Sequence, residues 1–148
     1  MKLVREHIEF ERGLEPKDAL KIGRKELIEK WLKKYANNFP FYDINDDLTI
    51  NIGSGDFISD DLSKGFPDYI QFKFCGGYFD LDDSKIPSLR GCPEIVKGYF
   101  SCQSNDIISL EGMPKEIKGE CYIMRNKKSF SEKEIRGYSK IGGTIETD

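Results

Sequence analysis

The side chains with chemistry to offer fall into four groups: one histidine, four cysteines, the aspartate pairs Asp60-Asp61 and Asp82-Asp83, and a set of tyrosines. Nucleophilic catalysis of the Ser-His or Cys-His kind would have to run through His7, the only histidine in the chain. His7 stands in REHIEFER, among charged residues, where a solvated or capping side chain is expected, so no catalytic residue is assigned. Cys75, Cys92, Cys102 and Cys121 are spaced 17, 10 and 19 residues apart without a C-x-x-C pair. Zinc sites depend on closely spaced ligand pairs, and this pattern lacks them. No phosphate-binding loop, dinucleotide fingerprint or H-E-x-x-H motif occurs. The run DINDD (43–47) puts Asp43, Asn45 and Asp47 at the first, third and fifth places of a calcium-loop pattern. Leu48 replaces its turn glycine and Ser54 its bidentate carboxylate, so a polar turn is expected instead. The expected cofactor and metal content is none.

What positions the aspartates and tyrosines is a repeat. Four segments align on a glycine: GDFISDDL (55–62), GYFDLDDS (77–84), GYFSCQSN (98–105) and GECYIMRN (119–126). Their glycines are 22, 21 and 21 residues apart. A second signature, L-x(1,2)-G-x-P-x-x-[IV], follows in the same order as LSKGFPDYI (62–70), LRGCPEIV (89–96) and LEGMPKEI (110–117). A fixed period near 21 residues is the mark of a stacked-repeat architecture. After each glycine, apolar residues alternate: Phe57, then Phe79 with Leu81, Phe100 with Cys102, and Cys121 with Ile123. Period-two alternation predicts a strand with one buried face. The G-x-P segment cannot continue a strand and is expected to turn the chain, giving one strand and one turning segment per unit. Every cysteine falls where another repeat has an apolar residue, so the thiols are expected to be buried and inert.

The outward places then form columns. The first place after glycine reads Asp56, Tyr78, Tyr99, Glu120; the third Ile58, Asp80, Ser101, Tyr122; the fifth Asp60, Asp82, Gln103, Met124. Tyrosine is enriched in protein interfaces, and repeat sheets commonly serve as binding faces. Tyr78, Asp80, Asp82, Tyr99, Gln103 and Tyr122 are therefore the candidate partner-binding residues. Asp60-Asp61 and Asp82-Asp83 occupy equivalent places in adjacent units, which on strands about 4.8 Å apart would gather four carboxylates at one edge.

Flanking elements are expected to cover the ends. Residues 24–36 carry Leu27, Ile28, Trp31, Leu32 and Tyr35 on one stripe, an amphipathic helix ended by Asn37-Asn38-Phe39-Pro40. Upstream, EPKDALKIG (15–23) predicts a separate helical turn stopped by Gly23. LTINI (48–52) predicts a first strand with Leu48, Ile50 and Ile52 inward. SEKE (131–134) matches a capping box that starts a short helix, and GGTI (142–145) permits a last strand. The expected organisation is an N-terminal helical cap (1–47), a repeat stack (48–128) and a C-terminal cap (129–148) in one folded unit. The fold class is α+β, mainly β: a short leucine-rich-repeat-like solenoid.

Composition narrows function further. Net charge is −3 and the pI about 5.3, which gives duplex binding no electrostatic support and suits a partner with a basic surface. No stretch approaches the roughly 18 apolar residues of a membrane span, and a cytoplasmic location is expected.

The segments DDLTIN (46–51), FPDYIQF (66–72), SLRGCPEIVKGYFSC (88–102) and SLEGMPKEIKGECYI (109–123) resemble a group of uncharacterised tailed-phage and prophage proteins with leucine-rich-repeat-like units. The opening VREHIEFERGLEPKDALKIG (4–23) is similar to the leader segment of that group. The chain departs from it in having Asp-Asp at 60–61 and 82–83, where a small polar Ser/Asn tract is usual. The resemblance implies a phage-encoded, non-catalytic inhibitor of a host defence system, an anti-CRISPR or similar. Two other classes stay open. KEIKGECYIMRNKK (115–128), with Lys115, Lys118, Arg125, Lys127 and Lys128 near Tyr122, would serve nucleic-acid binding. The Asp60/Asp61/Asp82/Asp83 set would serve cation or small-molecule binding, or an enzyme.

Overall fold

The computed structural model describes residues 16–35 and 41–148; His7, the leader up to residue 15 and the helix-ending 36–40 lie outside the described residues. The chain winds as a β-solenoid behind an N-terminal helix. Helix α1 spans Pro16–Tyr35. Eleven short strands follow: β1 (Tyr42–Ile44), β2 (Ile50–Ile52), β3 (Phe57–Ile58), β4 (Phe72–Cys75), β5 (Phe79–Asp80), β6 (Ile95–Val96), β7 (Phe100–Ser101), β8 (Glu116–Ile117), β9 (Cys121–Ile123), β10 (Lys140–Ile141) and β11 (Ile145–Thr147). Helix α2 (Glu132–Tyr138) stands between β9 and β10.

Each repeat contributes two strands, not the one that alternation predicts. The strand after each glycine joins a five-stranded sheet, in the order β11-β9-β7-β5-β3. The strand before it joins a six-stranded sheet, β1-β2-β4-β6-β8-β10. Pairing is parallel from coil to coil, with Phe57 opposite Phe79, Phe79 opposite Phe100 and Phe100 opposite Cys121. Only the β1–β2 hairpin is antiparallel. Two-residue strands such as Ile95–Val96 are too short to alternate, so nothing in their own sequence marks them. They are strands because a coil lies on each side.

The repeat glycines stand at the corner between the sheets and bond to one another. Gly98 N donates to the Gly77 carbonyl at 2.8 Å, Gly119 N to Gly98 at 3.0 Å, and Gly143 N to Gly119 at 3.0 Å. A Cβ on Gly98 would come within 2.8 Å of Gly77 C and Tyr78 N. The corner therefore requires glycine because backbone lies directly against backbone. Gly143 extends the column one coil beyond the four repeats visible in sequence, since β10 and β11 continue both sheets. In the turning segments Gly65, Gly91 and Gly112 adopt φ of 74°, 101° and 92°, and the buried Phe66, Cys92 and Met113 follow them.

The interior is a set of columns. Phe57, Phe79 and Phe100 stack with ring centroids 4.4 and 6.3 Å apart, each fully buried and each contributing roughly 2–3 kcal/mol of burial. All four cysteines are buried and unpaired. At one end Ile28, Trp31 and Leu32 of α1 join the core, with Trp31 edge-on to Phe66 at 5.7 Å. Leu27 does not share that stripe and is 48 % exposed. The helix is also longer than expected. It passes through Gly23 without a break, because an interior glycine costs a helix only about 1 kcal/mol. Leu48 is not a strand residue: its φ is 68°, it sits in the turn before β2, and Asp47 caps that turn by accepting from Thr49 N at 3.1 Å. At the other end Ser131 and Glu134 form the expected capping box of α2, whose Ile135 is buried.

Candidate interaction face

The outer surface of the five-stranded sheet carries the residues singled out from sequence, and the parallel register holds them as rungs. Tyr78 and Tyr99 project from the corners of successive coils and stack, centroids 4.6 Å apart and planes 8° from parallel. Tyr122, at the third place after its glycine and not the first, meets Tyr99 edge-on at 5.8 Å. The three rings form one continuous aromatic strip, half-buried.

A polar network runs beside the strip. Tyr99 Oη donates to Asp80 Oδ2 at 3.3 Å. Asp82 Oδ1 accepts from Ser101 Oγ at 2.6 Å and from Gln103 N at 2.8 Å. Gln103 Nε2 reaches both Asp82 Oδ2 (3.3 Å) and Ser101 Oγ (3.2 Å). These bonds cover Ser101, which alternation places outward and which is nonetheless only 1 % exposed. Asp56 Oδ1 accepts from Tyr78 N at 2.9 Å, tying the first coil to the second. Arg125 closes the rim, with Nε on Ser104 Oγ at 3.0 Å and Nη2 on Gln103 Oε1 at 3.4 Å. All six predicted contact residues are thus brought together.

The electrostatics follow from the crowding. Loss of solvation, with Asp82 and Asp83 close by, raises the Asp80 carboxyl above the usual carboxylate range. The Tyr99 hydroxyl is pushed well above its ordinary value, first by loss of solvation and then by Asp80. Tyr78 rises through lost solvation and Asp56, and Tyr122 through lost solvation, Glu120 and Glu146. The phenols are therefore neutral donors at physiological pH in a negative local field. Among the described residues, none of Asp56, Asp80, Asp82 and Asp83 forms an ion pair.

The two other candidate groups do not assemble in the same way. Asp61 Oδ1 caps its own turn through Ser63 N at 2.8 Å, and Asp83 is exposed at a φ of 53°. Among the described residues no three His, Cys, Asp or Glu side chains are grouped so as to hold a metal ion. The basic stretch 115–128 is continuous only in sequence. Lys118 pairs with Glu116 at 3.3 Å beside the six-stranded sheet, and Lys128 with Glu134 at 3.9 Å, while Arg125 reaches over the other sheet.

The inward polar ladder had no counterpart in the sequence reading. Asn105, buried in the bend beyond β7, donates Nδ2 to Leu81 O at 2.7 Å and accepts at Oδ1 from Ser84 N (3.0 Å) and Ile86 N (3.2 Å). Asn126 repeats the first bond one coil later, to Cys102 O at 2.9 Å. Its signal was the eighth place of the repeat, Ser84, Asn105 and Asn126 at constant spacing. No helix of the described residues is long and apolar enough to cross a membrane. Comparisons of the chain with protein-family models, curated proteins and solved structures find no match.

Proposed function

We propose that the protein is a non-catalytic binding module that captures another protein on the outer face of the five-stranded sheet. The observation that carries this reading is the Tyr78–Tyr99–Tyr122 strip, laid on a backbone ladder and locked by the Asp80, Asp82 and Gln103 network. Such rings bury large area at low conformational cost when a partner covers them, and a rigid scaffold loses little entropy on binding. The narrower proposal, a phage-encoded inhibitor of host defence acting in the host cytoplasm, rests on the resemblance to phage and prophage proteins read from the repeat segments alone.

The test is affinity capture from host lysate with the natural chain and with the Tyr78→Ala/Tyr99→Ala double variant. Losing the stack costs roughly 1 kcal/mol, about 2–4 °C of melting temperature at this size, so the variant stays folded. The expected result is loss of the specifically captured protein. Undiminished capture by the folded variant overturns the reading.

A further inference from the structure

We propose that the occupant of this face is an arginine-bearing segment of the partner protein, with a guanidinium laid on the side of the Tyr78 ring that faces away from Tyr99, within reach of Asp56 and Asp80. This rests on the protein-binding reading and names the chemistry of the partner.

Three observations carry it. The first is charge. Counting the first, third and fifth places after the corner glycine, and continuing the β9–β11 register into Thr144, Glu146 and Asp148, the face has fifteen outward positions. Seven are Asp or Glu and none is Lys, Arg or His. The outer side of the six-stranded sheet has the opposite bias, with Lys73, Lys97, Lys115, Lys118 and Lys140 against Asp43, Glu94 and Glu116. The acidity therefore belongs to this face and not to the composition at large. The second is that the central carboxylates of this face have no cation, since Arg125, which reaches over this sheet, bonds Ser104 and Gln103 instead. Asp80 and Asp82 are half-buried, and among the described residues neither they nor Asp56 has an ion-pair partner. A positive group arriving from outside relieves that field.

The third is shape. The Tyr78 ring is covered on one side by Tyr99. In the preceding coil its column holds Asp56, and no other ring of the described residues lies against it. A planar cation at the spacing of the coils continues the stack and meets the Asp56 carboxylate below it. Guanidinium suits this place better than ammonium, because it stacks on an aromatic face while presenting several N–H donors in its plane.

The test titrates the full-length isotopically labelled protein with two eight-residue peptides, (Gly-Arg)4 and its citrulline counterpart, at two salt concentrations, following amide resonances. A lysine counterpart and a neutral, aromatic- and proline-rich peptide complete the set. The expected result is perturbation centred on Tyr78, Tyr99 and Asp80 by the arginine peptide. It should weaken with salt, fall severalfold with lysine and vanish with citrulline. In Asp56→Asn/Asp80→Asn, which keeps the hydrogen-bond acceptors, arginine binding should fall at least tenfold. Binding that is unchanged in that variant, equal for lysine, or centred elsewhere overturns the proposal. So does perturbation that depends on protein concentration alone, which would make the lysine-bearing face of a second copy the occupant. If only the neutral peptide binds the tyrosine strip, the arginine assignment falls and the protein-binding reading stands. If no peptide touches the strip and capture is also insensitive to Tyr78 and Tyr99, both fall.

Discussion

Asp80 illustrates how the proposed contact surface is held at some expense to its own fold. Its carboxylate accepts from Asp82 N and Tyr99 Oη yet stands close to two other aspartates and partly out of water. Folding raises its pKa, so the folded chain holds the proton more tightly than the unfolded chain does. The protonated form is favoured in the fold, and that advantage is lost as pH rises through the raised value. At neutral pH the charge therefore works against stability. Asp80→Asn should raise the melting temperature at pH 7 by roughly 1–2 °C, about half a kcal/mol for a partly exposed group. The gain should shrink to nothing by about pH 3, where the natural side chain is neutral too. A gain that grows on acidification would contradict this assignment. The tyrosines and aspartates of the face were legible in the sequence, because alternation alone decides which side of a strand they occupy. Asn105 was not. A polar residue in a bend looks solvated until the carbonyl it bonds, Leu81 O in the preceding coil, is placed beside it.

Among the elements, the strands that follow the glycines were visible and those that precede them were not, for one reason: Phe79 and Leu81 alternate, while Glu116–Ile117 has no room to. Leu48 is the converse case. It continues the alternation of Ile50 and Ile52, yet the backbone turns left-handed there, so the pattern overran the strand. The corner glycines were found as a period, but their cause is contact and not turning, since Gly98 is held against the backbone of Gly77. Gly98→Ala should therefore destabilise by roughly 2–4 kcal/mol through forced separation of the coils. Gly137→Ala, in α2 with open space around its Cα, should stabilise by about 0.4–1 kcal/mol. Denaturant midpoints of the two variants should move in opposite directions; equal shifts would mean the corner is looser than it appears.

The molecule as a whole is a column whose inside tolerates little and whose outside is free. Burial pushes the Cys75 thiol up to about 11 and those of Cys102 and Cys121 to about 12, with Cys92 raised as well. The thiolate is the reactive form, so none of the four should react with a thiol reagent at pH 8 in the native protein within minutes, and all four should react in denaturant. A thiol that titrates quickly under native conditions would reveal an opening of the stack at its own coil. The capping helices were legible in the sequence because their patterns are local, and the period because residues about 21 positions apart repeat in type. The division into two sheets of opposite charge was not, because strands as short as Ile95–Val96 and Glu116–Ile117 carry no pattern of their own.

Because backbone groups at the corner and along both ladders join each coil to the next, the outward side chains add to the grip without setting its spacing. On the proposed reading, recognition and architecture are thereby written in separate alphabets on the same strands. A change of partner would require only respelling the rungs, whereas a single added methyl at the corner disturbs the spine that carries them all.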